Sequence, residues 1–225
     1  MQNQTSDTGV AVRDQHVVDA DCPRHGDAEP RSSIGRLAAS IRNEELDLSS
    51  CCAADGSVTV GFTDIEASTE LMLQLGDRAW VELLREHNEI LRREVGNYRG
   101  TVVKSRGDGF MVAFAAPEDA VLAAIEIQRS LAAWNLLRET PIRVRIGLHT
   151  GRPVYEAADF FGRDVNLAAR IADHAAGGEV LVSERLRELL EPREMFNFDA
   201  GAPVALKGFD GEHATHVATR ATSDR

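Results

Sequence analysis

Alternation of apolar and polar residues predicts short strands separated by amphipathic segments. Branched and aromatic residues at 58–62 predict a first strand, and residues 101–103 and 110–114 predict a hairpin around Gly107-Asp108-Gly109. Alternation across residues 142–148 predicts a further, half-buried strand. Each strand is too short to fold alone, so these patterns indicate one sheet covered by helices.

Apolar residues at helical spacing fill the intervals between these strands. They predict helices over residues 68–75, 78–98, 117–137 and 162–177. Beyond them the pattern predicts a strand over residues 179–182, a helix over residues 183–190 capped by Ser183, and short strands near residues 196, 204 and 215–218. Residues 152–159 are interpreted as a short connection. This order predicts an α+β fold: a ferredoxin-like βααββαβ core with additional C-terminal α/β elements.

Composition divides the chain into a polar N-terminal extension and one folded domain. Residues 1–55 have few large apolar side chains, so we expect them to be mostly disordered, with a possible short amphipathic helix around residues 34–48. Residues 56–225 form the expected domain. No apolar run reaches the roughly 18 residues that span a bilayer, and the N-terminus has no signal-peptide pattern. We therefore expect a cytoplasmic protein without direct membrane insertion.

The net charge restricts the possible partners. It is -11, from 25 Lys and Arg against 36 Asp and Glu. Proteins that coat nucleic acid or anionic membranes need a basic face, so we expect no nucleic-acid partner. A nucleotide remains compatible with this charge, since metal ions and a few cationic side chains can hold a triphosphate.

Two aspartates follow or interrupt predicted strands. Asp64 comes just after the first strand, and Asp108 lies at the tip of the hairpin. In a ferredoxin-like sheet both would converge at one end, where hard carboxylate oxygens suit a divalent metal ion. A Gly-Asp-Gly turn alone is more often only structural.

A second polar cluster lies on the helix predicted over residues 162–177. Asn166 and Arg170 are four residues apart and project from one helix face. An amide and a guanidinium that point the same way can hold a sugar and a phosphate. Taken alone, the same spacing more often marks a solvated face. His149 and Asp164 are interpreted as structural: a strand-end histidine and a helix-start carboxylate that the helix dipole favours.

Four motifs, in this order, resemble the class III nucleotide cyclases, the adenylyl/guanylyl cyclase catalytic domain. They occupy residues 62–69, 104–109, 147–151 and 159–170, and the resemblance runs from about residue 58 to residue 217. It implies that residues 56–225 are a cyclase catalytic domain with the class III cyclase fold. The implied activity is that of an adenylate cyclase, which converts ATP to 3′,5′-cyclic AMP and pyrophosphate.

The resemblance also implies roles for individual residues. Asp64 and Asp108, with the carbonyl of Ile65, would bind two divalent cations, Mg²⁺ or Mn²⁺. Lys104 and Asp159 would recognise the adenine edge. The lysine and aspartate match the acceptor and donor of adenine, whereas guanine has a protonated ring nitrogen that would face the lysine, so ATP is favoured over GTP.

The remaining implied contacts involve the sugar and the phosphates. Asn166 would orient the ribose, and Arg170 would stabilise charge on the α-phosphate. Lys207, Ser68 and Thr69 are further implied substrate contacts. The family pattern implies a homodimer in which the metal-binding aspartates come from one copy and the adenine, ribose and α-phosphate contacts come from the other.

Three other interpretations stay open. The chain could be a guanylyl or dual-specificity cyclase, a silent cyclase-like module that binds nucleotide without turnover, or an unrelated metal-binding ferredoxin-like domain. Two positions depart from the family pattern: Ala67 stands where the family often has glycine, and Arg106 where it has a small polar residue. The connection at residues 152–156 is short, as in cyclases with a reduced dimerisation arm.

Overall fold

The computed structural model describes residues 48–221. The rest of the N-terminal extension, including most of the predicted amphipathic helix, lies outside the described residues. At the start of the described part, Ser49–Cys51 form one turn of 3-10 helix. The side chains of Leu48 and Cys51 are fully buried, so this turn is packed against the domain.

Apart from two short strands within residues 154–161, strands and helices follow one another in the predicted order. The strands are β1 Val58–Ile65, β2 Thr101–Arg106, β3 Gly109–Phe114, β4 Val144–Gly151, β5 Val154–Glu156, β6 Asp159–Phe161, β7 Val180–Ser183, β8 Phe196–Phe198, β9 Ala202–Ala205 and β10 Glu212–Arg220. The helices are α1 Ser68–Leu75, α2 Asp77–Asn97, α3 Pro117–Asn135, α4 Arg163–His174 and α5 Glu184–Leu190.

The main sheet confirms the predicted α+β architecture. Its strand order is β2-β3-β1-β4-β7-β10-β8, with β9 paired to β10. The first four strands pair antiparallel in the order β2-β3-β1-β4, which is the ferredoxin-like arrangement. The hairpin is therefore the neighbour of β1, as predicted, and β7 then joins β4 in parallel after the crossover helix α4.

Side-chain alternation along β3 sends apolar groups to both faces of the sheet. Phe110, Val112 and Phe114 pack with α2, α3 and α5, whereas Met111 and Ala113 face the 3-10 turn, β6 and α4. Helix α4 lies very close to β4. A Cβ atom added to Gly147 on β4 would be only 2.1 Å from the backbone nitrogen of Ala172 on α4. This close approach fixes the helix that carries Asn166 and Arg170.

Two segments differ from their predicted form. Strand β1 continues to Ile65, so Asp64 lies within the strand and not after its end. The connection at residues 152–159 is largely a two-stranded arm, in which β5 pairs with β6 around Ala157 and Ala158. Both alanines have positive φ, 49° and 58°. The arm was missed because three-residue strands show little periodicity and Ala-Ala is not a turn signal.

None of the helices within residues 48–221 combines the length and the apolar character needed to cross a membrane.

Candidate active site

The carboxyl groups of Asp64 and Asp108 lie at one end of the sheet. The backbone N–H of Ile65 donates to Oδ2 of Asp108 over 3.3 Å, which ties the hairpin tip to the end of β1. Gly107 opens the turn with φ of +63°. A Cβ atom on Gly109 would lie 3.2 Å from the carbonyl oxygen of Thr63, so the hairpin passes close to β1.

The electrostatics of this end of the sheet favour a cation. Burial raises the pKa of Asp64, a hydrogen bond from Arg145 opposes that rise, and the charge of Asp108 adds to it. Two carboxylates that repel each other are hard-oxygen donors of the kind that a divalent cation can bind together with substrate phosphates. Within the described residues no three His, Cys, Asp or Glu side chains are grouped to hold a metal by themselves.

Arg145 is a site residue that the sequence analysis missed. It lies opposite Asp64 in the β1–β4 register, and its guanidinium donates to Oδ2 of that carboxylate. The alternating pattern of its strand identified Arg145 only as a polar position. Its partner Asp64 is 81 residues away in the sequence, so no local motif indicates the contact. In this arrangement the guanidinium supplies a positive charge beside Asp64.

Lys104 and Asp159 form an ion pair in the folded chain. Nζ of Lys104, on β2, donates to Oδ2 of Asp159, the first residue of β6, over 2.5 Å. The other carboxylate oxygen accepts the N–H of Phe160 at 2.8 Å. The ammonium also lies 5.7 Å from the centre of the Phe161 ring. The pair therefore presents a fixed donor and a fixed acceptor side by side.

Asn166 and Arg170 project from α4. Asn166 is exposed, and Arg170 donates through Nη1 to Oδ2 of Asp173 over 2.7 Å. The helix follows Gly162 directly, which has φ of +112° and links it to the arm. The same helix thus continues from the strand that carries Asp159.

A cleft of about 680 Å³ lies between the sheet end and α4. It is lined by Phe62, Thr63, Asp64, Lys104, Ser105, Arg106, Gly109, Phe110, Met111, Ala169, Ala172 and Asp173. A single copy therefore brings Asp64 and Lys104 to one cleft. Its lining, within the described residues, does not include Asp108, Asp159, Asn166 or Arg170.

Ser68, Thr69 and Lys207 occupy the margins of this region. Ser68 and Thr69 form the first turn of α1, directly after the segment that contains Asp64 and Ile65. Lys207 is exposed in the turn after β9, and its neighbour Leu206 packs with α4 through Ile171. All three residues thus lie on segments that adjoin the elements of the site.

Comparison with known proteins gives a consistent family assignment. The family model for the adenylate and guanylate cyclase catalytic domain matches residues 52–219. The chain is 33% identical over 183 residues to an adenylate cyclase of Mycosarcoma maydis, covering 70% of this chain but 7% of that protein. An uncharacterised protein of Mycobacterium tuberculosis is 34% identical over 151 residues, covering 67% of this chain and 38% of that protein.

Solved structures agree with this assignment. The adenylyl cyclase CyaB from P. aeruginosa superposes with a TM-score of 0.65 at 27% identity, covering 75% of this chain and 96% of the solved chain. The curated relatives, by contrast, are much longer than the region they share with this chain. The fold, the two adjacent aspartates and the matched length together show that the chain belongs to the class III adenylate and guanylate cyclase catalytic domain family.

Proposed function

We propose that this chain is an adenylyl cyclase that converts ATP to 3′,5′-cyclic AMP and pyrophosphate. The observation that carries the proposal is the Lys104–Asp159 pair, which holds an ammonium and a carboxylate side by side on β2 and β6. Lysine can donate to the unprotonated ring nitrogen of adenine, and aspartate can accept from its exocyclic amine. Guanine would place a donor against the lysine, and a buried mismatch of this kind costs about 1–3 kcal/mol.

Asp64, Asp108 and the carbonyl of Ile65 would hold two divalent cations, Mg²⁺ or Mn²⁺. When bound, such ions lower the pKa of the ribose 3′-hydroxyl and hold the triphosphate. Arg145 donates to Oδ2 of Asp64, so a cation bound at that carboxylate would compete with the guanidinium, which could then turn to a substrate phosphate. Exchange of partners keeps both the arginine and the aspartate paired.

Asn166 and Arg170 would act on the sugar and the α-phosphate. Cyclisation requires the 3′-oxygen to attack the α-phosphorus in line while pyrophosphate leaves on the opposite side. Asn166 would hold the ribose for that attack, and Arg170 would stabilise the charge that grows on the α-phosphate oxygens. Arg170 is already held in position by Asp173, which limits the reorganisation needed. Lys207 and the first turn of α1, Ser68 and Thr69, would contact the remaining phosphates.

The active unit is proposed to be a homodimer with two composite sites. The family pattern implies this arrangement, and Asn166 and Arg170 are not among the residues that line the cleft around Asp64. The arm exposes apolar side chains that a partner would cover: Val154 is 50% exposed and Phe161 46% exposed. A cytoplasmic location stays a prediction.

The direct test is product analysis of the purified chain with ATP or GTP, in Mg²⁺ and in Mn²⁺. Cyclic AMP should form from ATP in preference to cyclic GMP from GTP, and Asp108→Asn should abolish both without lowering the melting temperature. Equal or greater turnover of GTP would favour a guanylyl or dual-specificity cyclase. Nucleotide binding without any cyclic product would favour a silent module.

A further inference from the structure

His149 is a buried histidine at the base of the arm that none of the proposed catalytic steps uses. It lies on β4 with only 5% of its side chain exposed. Its Nδ1 lies 2.8 Å from the hydroxyl oxygen of Ser183, the cap of α5. Its Nε2 has no hydrogen-bond partner among the described residues, and Oδ1 of Asp164 faces it at 3.4 Å.

Asp164 joins two parts of the site through its second oxygen. It is the second residue of α4, and its Oδ2 accepts the backbone N–H of Arg152 at 2.7 Å. Arg152 directly precedes the arm, and α4 directly follows it. One carboxylate therefore ties together the entry to the arm, its exit and the end of β4.

Close packing leaves little freedom around this carboxylate. A Cβ atom on Gly151 would lie 2.2 Å from the Asp164 carboxylate, so only glycine leaves room for it. At the other end of α4, Gly147 meets the backbone of Ala172 at a similarly short distance. Helix α4 is thus fixed on β4 by backbone packing at one end and by Asp164 at the other.

The hydrogen-bond directions are mutually consistent. Ser183 Oγ accepts the N–H of Leu186 at 3.3 Å, which leaves its own proton free for Nδ1 of His149. With that direction, Nε2 is the ring nitrogen that can donate, and it faces Asp164. This contact, partly offset by burial, and the Arg152 N–H hold the pKa of Asp164 below its ordinary value, and Arg185 adds a favourable charge. The carboxylate therefore stays ionised near neutral pH.

We propose that Asp164, supported by His149, is a positioning residue. It holds Asp159, the proposed adenine contact, in a fixed position relative to Asn166 and Arg170 on α4. This inference rests on the proposed function. Asp159 is reached through the arm, and Asn166 lies two residues beyond Asp164 on the helix. Loosening this one junction displaces groups that act on opposite ends of the nucleoside.

The test compares Asp164→Ala and Asp164→Asn in the full chain. Asn keeps an oxygen that can accept the Arg152 N–H, whereas Ala removes it. For Asp164→Ala we expect kcat/KM for ATP to fall by about 10- to 100-fold, as for a displacement of roughly 1 Å, together with a smaller preference for ATP over GTP. The Asn variant should recover most of both. Glu188→Gln, an exposed carboxylate on α5, is the matched control and should change neither.

A measurement of amide hydrogen exchange is independent of turnover. The Arg152 amide should be protected in the wild type and in Asp164→Asn, and exchange much faster in Asp164→Ala. His149→Asn should speed this exchange less than Asp164→Ala does, because the Asp164–Arg152 bond survives.

Three results would overturn the inference. They are unchanged kinetics in Asp164→Ala, an equal kcat loss for ATP and GTP without change in their ratio, or unchanged exchange at Arg152. If Asp164→Ala does not fold, the exchange rates in Asp164→Asn and His149→Asn test the inference. The Arg152 amide must stay protected in Asp164→Asn and exchange faster than wild type in His149→Asn. If the wild type forms no cyclic nucleotide, the proposed function fails, while the exchange comparison still decides whether Asp164 holds the arm.

Discussion

Under the proposed function, nucleotide choice should depend most directly on Lys104. It is half exposed, and its ammonium is shared between Asp159 and the ring of Phe161. Both partners restrict where the charge can lie. A donor held in this way discriminates between bases because an unmatched partner leaves a polar group unpaired.

Lys104→Glu should weaken or reverse the preference for ATP. Glutamate offers an acceptor to the protonated ring nitrogen of guanine and repels Asp159. We expect kcat/KM for ATP to fall by at least about 10-fold, which corresponds to one unpaired hydrogen bond, with a smaller effect on GTP. Steady-state kinetics with both nucleotides measure the ratio, and Lys207→Glu provides a comparison at the margin of the site. An unchanged ratio would show that Lys104 does not contact the base.

Ala67 has an unfavourable backbone conformation next to the proposed metal-binding residues. Its φ of 54° lies in the left-handed region at the start of α1. Ala67→Gly removes the Cβ clash and should raise the free energy of unfolding by about 1 kcal/mol, or the melting temperature by about 2–4 °C. Ala132→Gly, exposed within α3, should lower stability by about 1 kcal/mol. Calorimetry that shows Ala67→Gly to be the less stable protein would contradict this account of the loop.

Helices and caps with a local sequence signal were predictable from the sequence. Features that depend on contacts between distant segments, or that lack a turn signal, were not. Helix α1 has its predicted bounds, and Ser183 caps α5 by accepting the Leu186 N–H. The arm was not predicted, because Ala157 and Ala158 adopt positive φ without any glycine or asparagine to signal it. Arg145 was missed for a different reason: its contact with Asp64 exists only once β1 and β4 have paired.

The stability that Glu184 contributes on α5 should depend on pH. Glu184 accepts hydrogen bonds from Arg187 and from His216 of β10, and these contacts, Arg187 above all, lower its pKa to about 2. Because the folded pKa is lower than the ordinary value of 4.5, the contribution to stability is complete above that pH and is lost as the pH falls toward about 2.

Glu184→Gln should therefore be less stable than the wild type at pH 7. The side chain is 39% exposed, so we expect the difference to be no more than about 1 kcal/mol. Urea unfolding at several pH values should show this difference shrinking below pH 4.5, the ordinary value for this group. Glu188→Gln should show no such trend. A Glu184→Gln difference that stays constant or grows on acidification would contradict the assignment.

At the scale of the whole molecule, the proposed site residues lie on different elements of one copy. Asp64 and Asp108 lie at one end of the sheet, Asp159 begins β6, and Asn166 and Arg170 lie on α4. The cleft in one copy has about 680 Å³ and connects only some of these groups. The order of strands predicts the fold and the approach of Asp108 to the end of β1, whereas the proposed contribution of a second copy is tested in solution.

The most direct test is to mix Asp108→Ala with Arg170→Ala after each has been shown to be inactive. In a mixed dimer one composite site keeps both carboxylates and its arginine. Random exchange should therefore restore up to about a quarter of wild-type activity, since half of the dimers are mixed and each has one intact site. A mixture of Asp108→Ala with Asp64→Ala should stay inactive, because both changes damage the same side of every site. If the first mixture also stays inactive while labelled subunits are shown to exchange, the shared-site account is wrong.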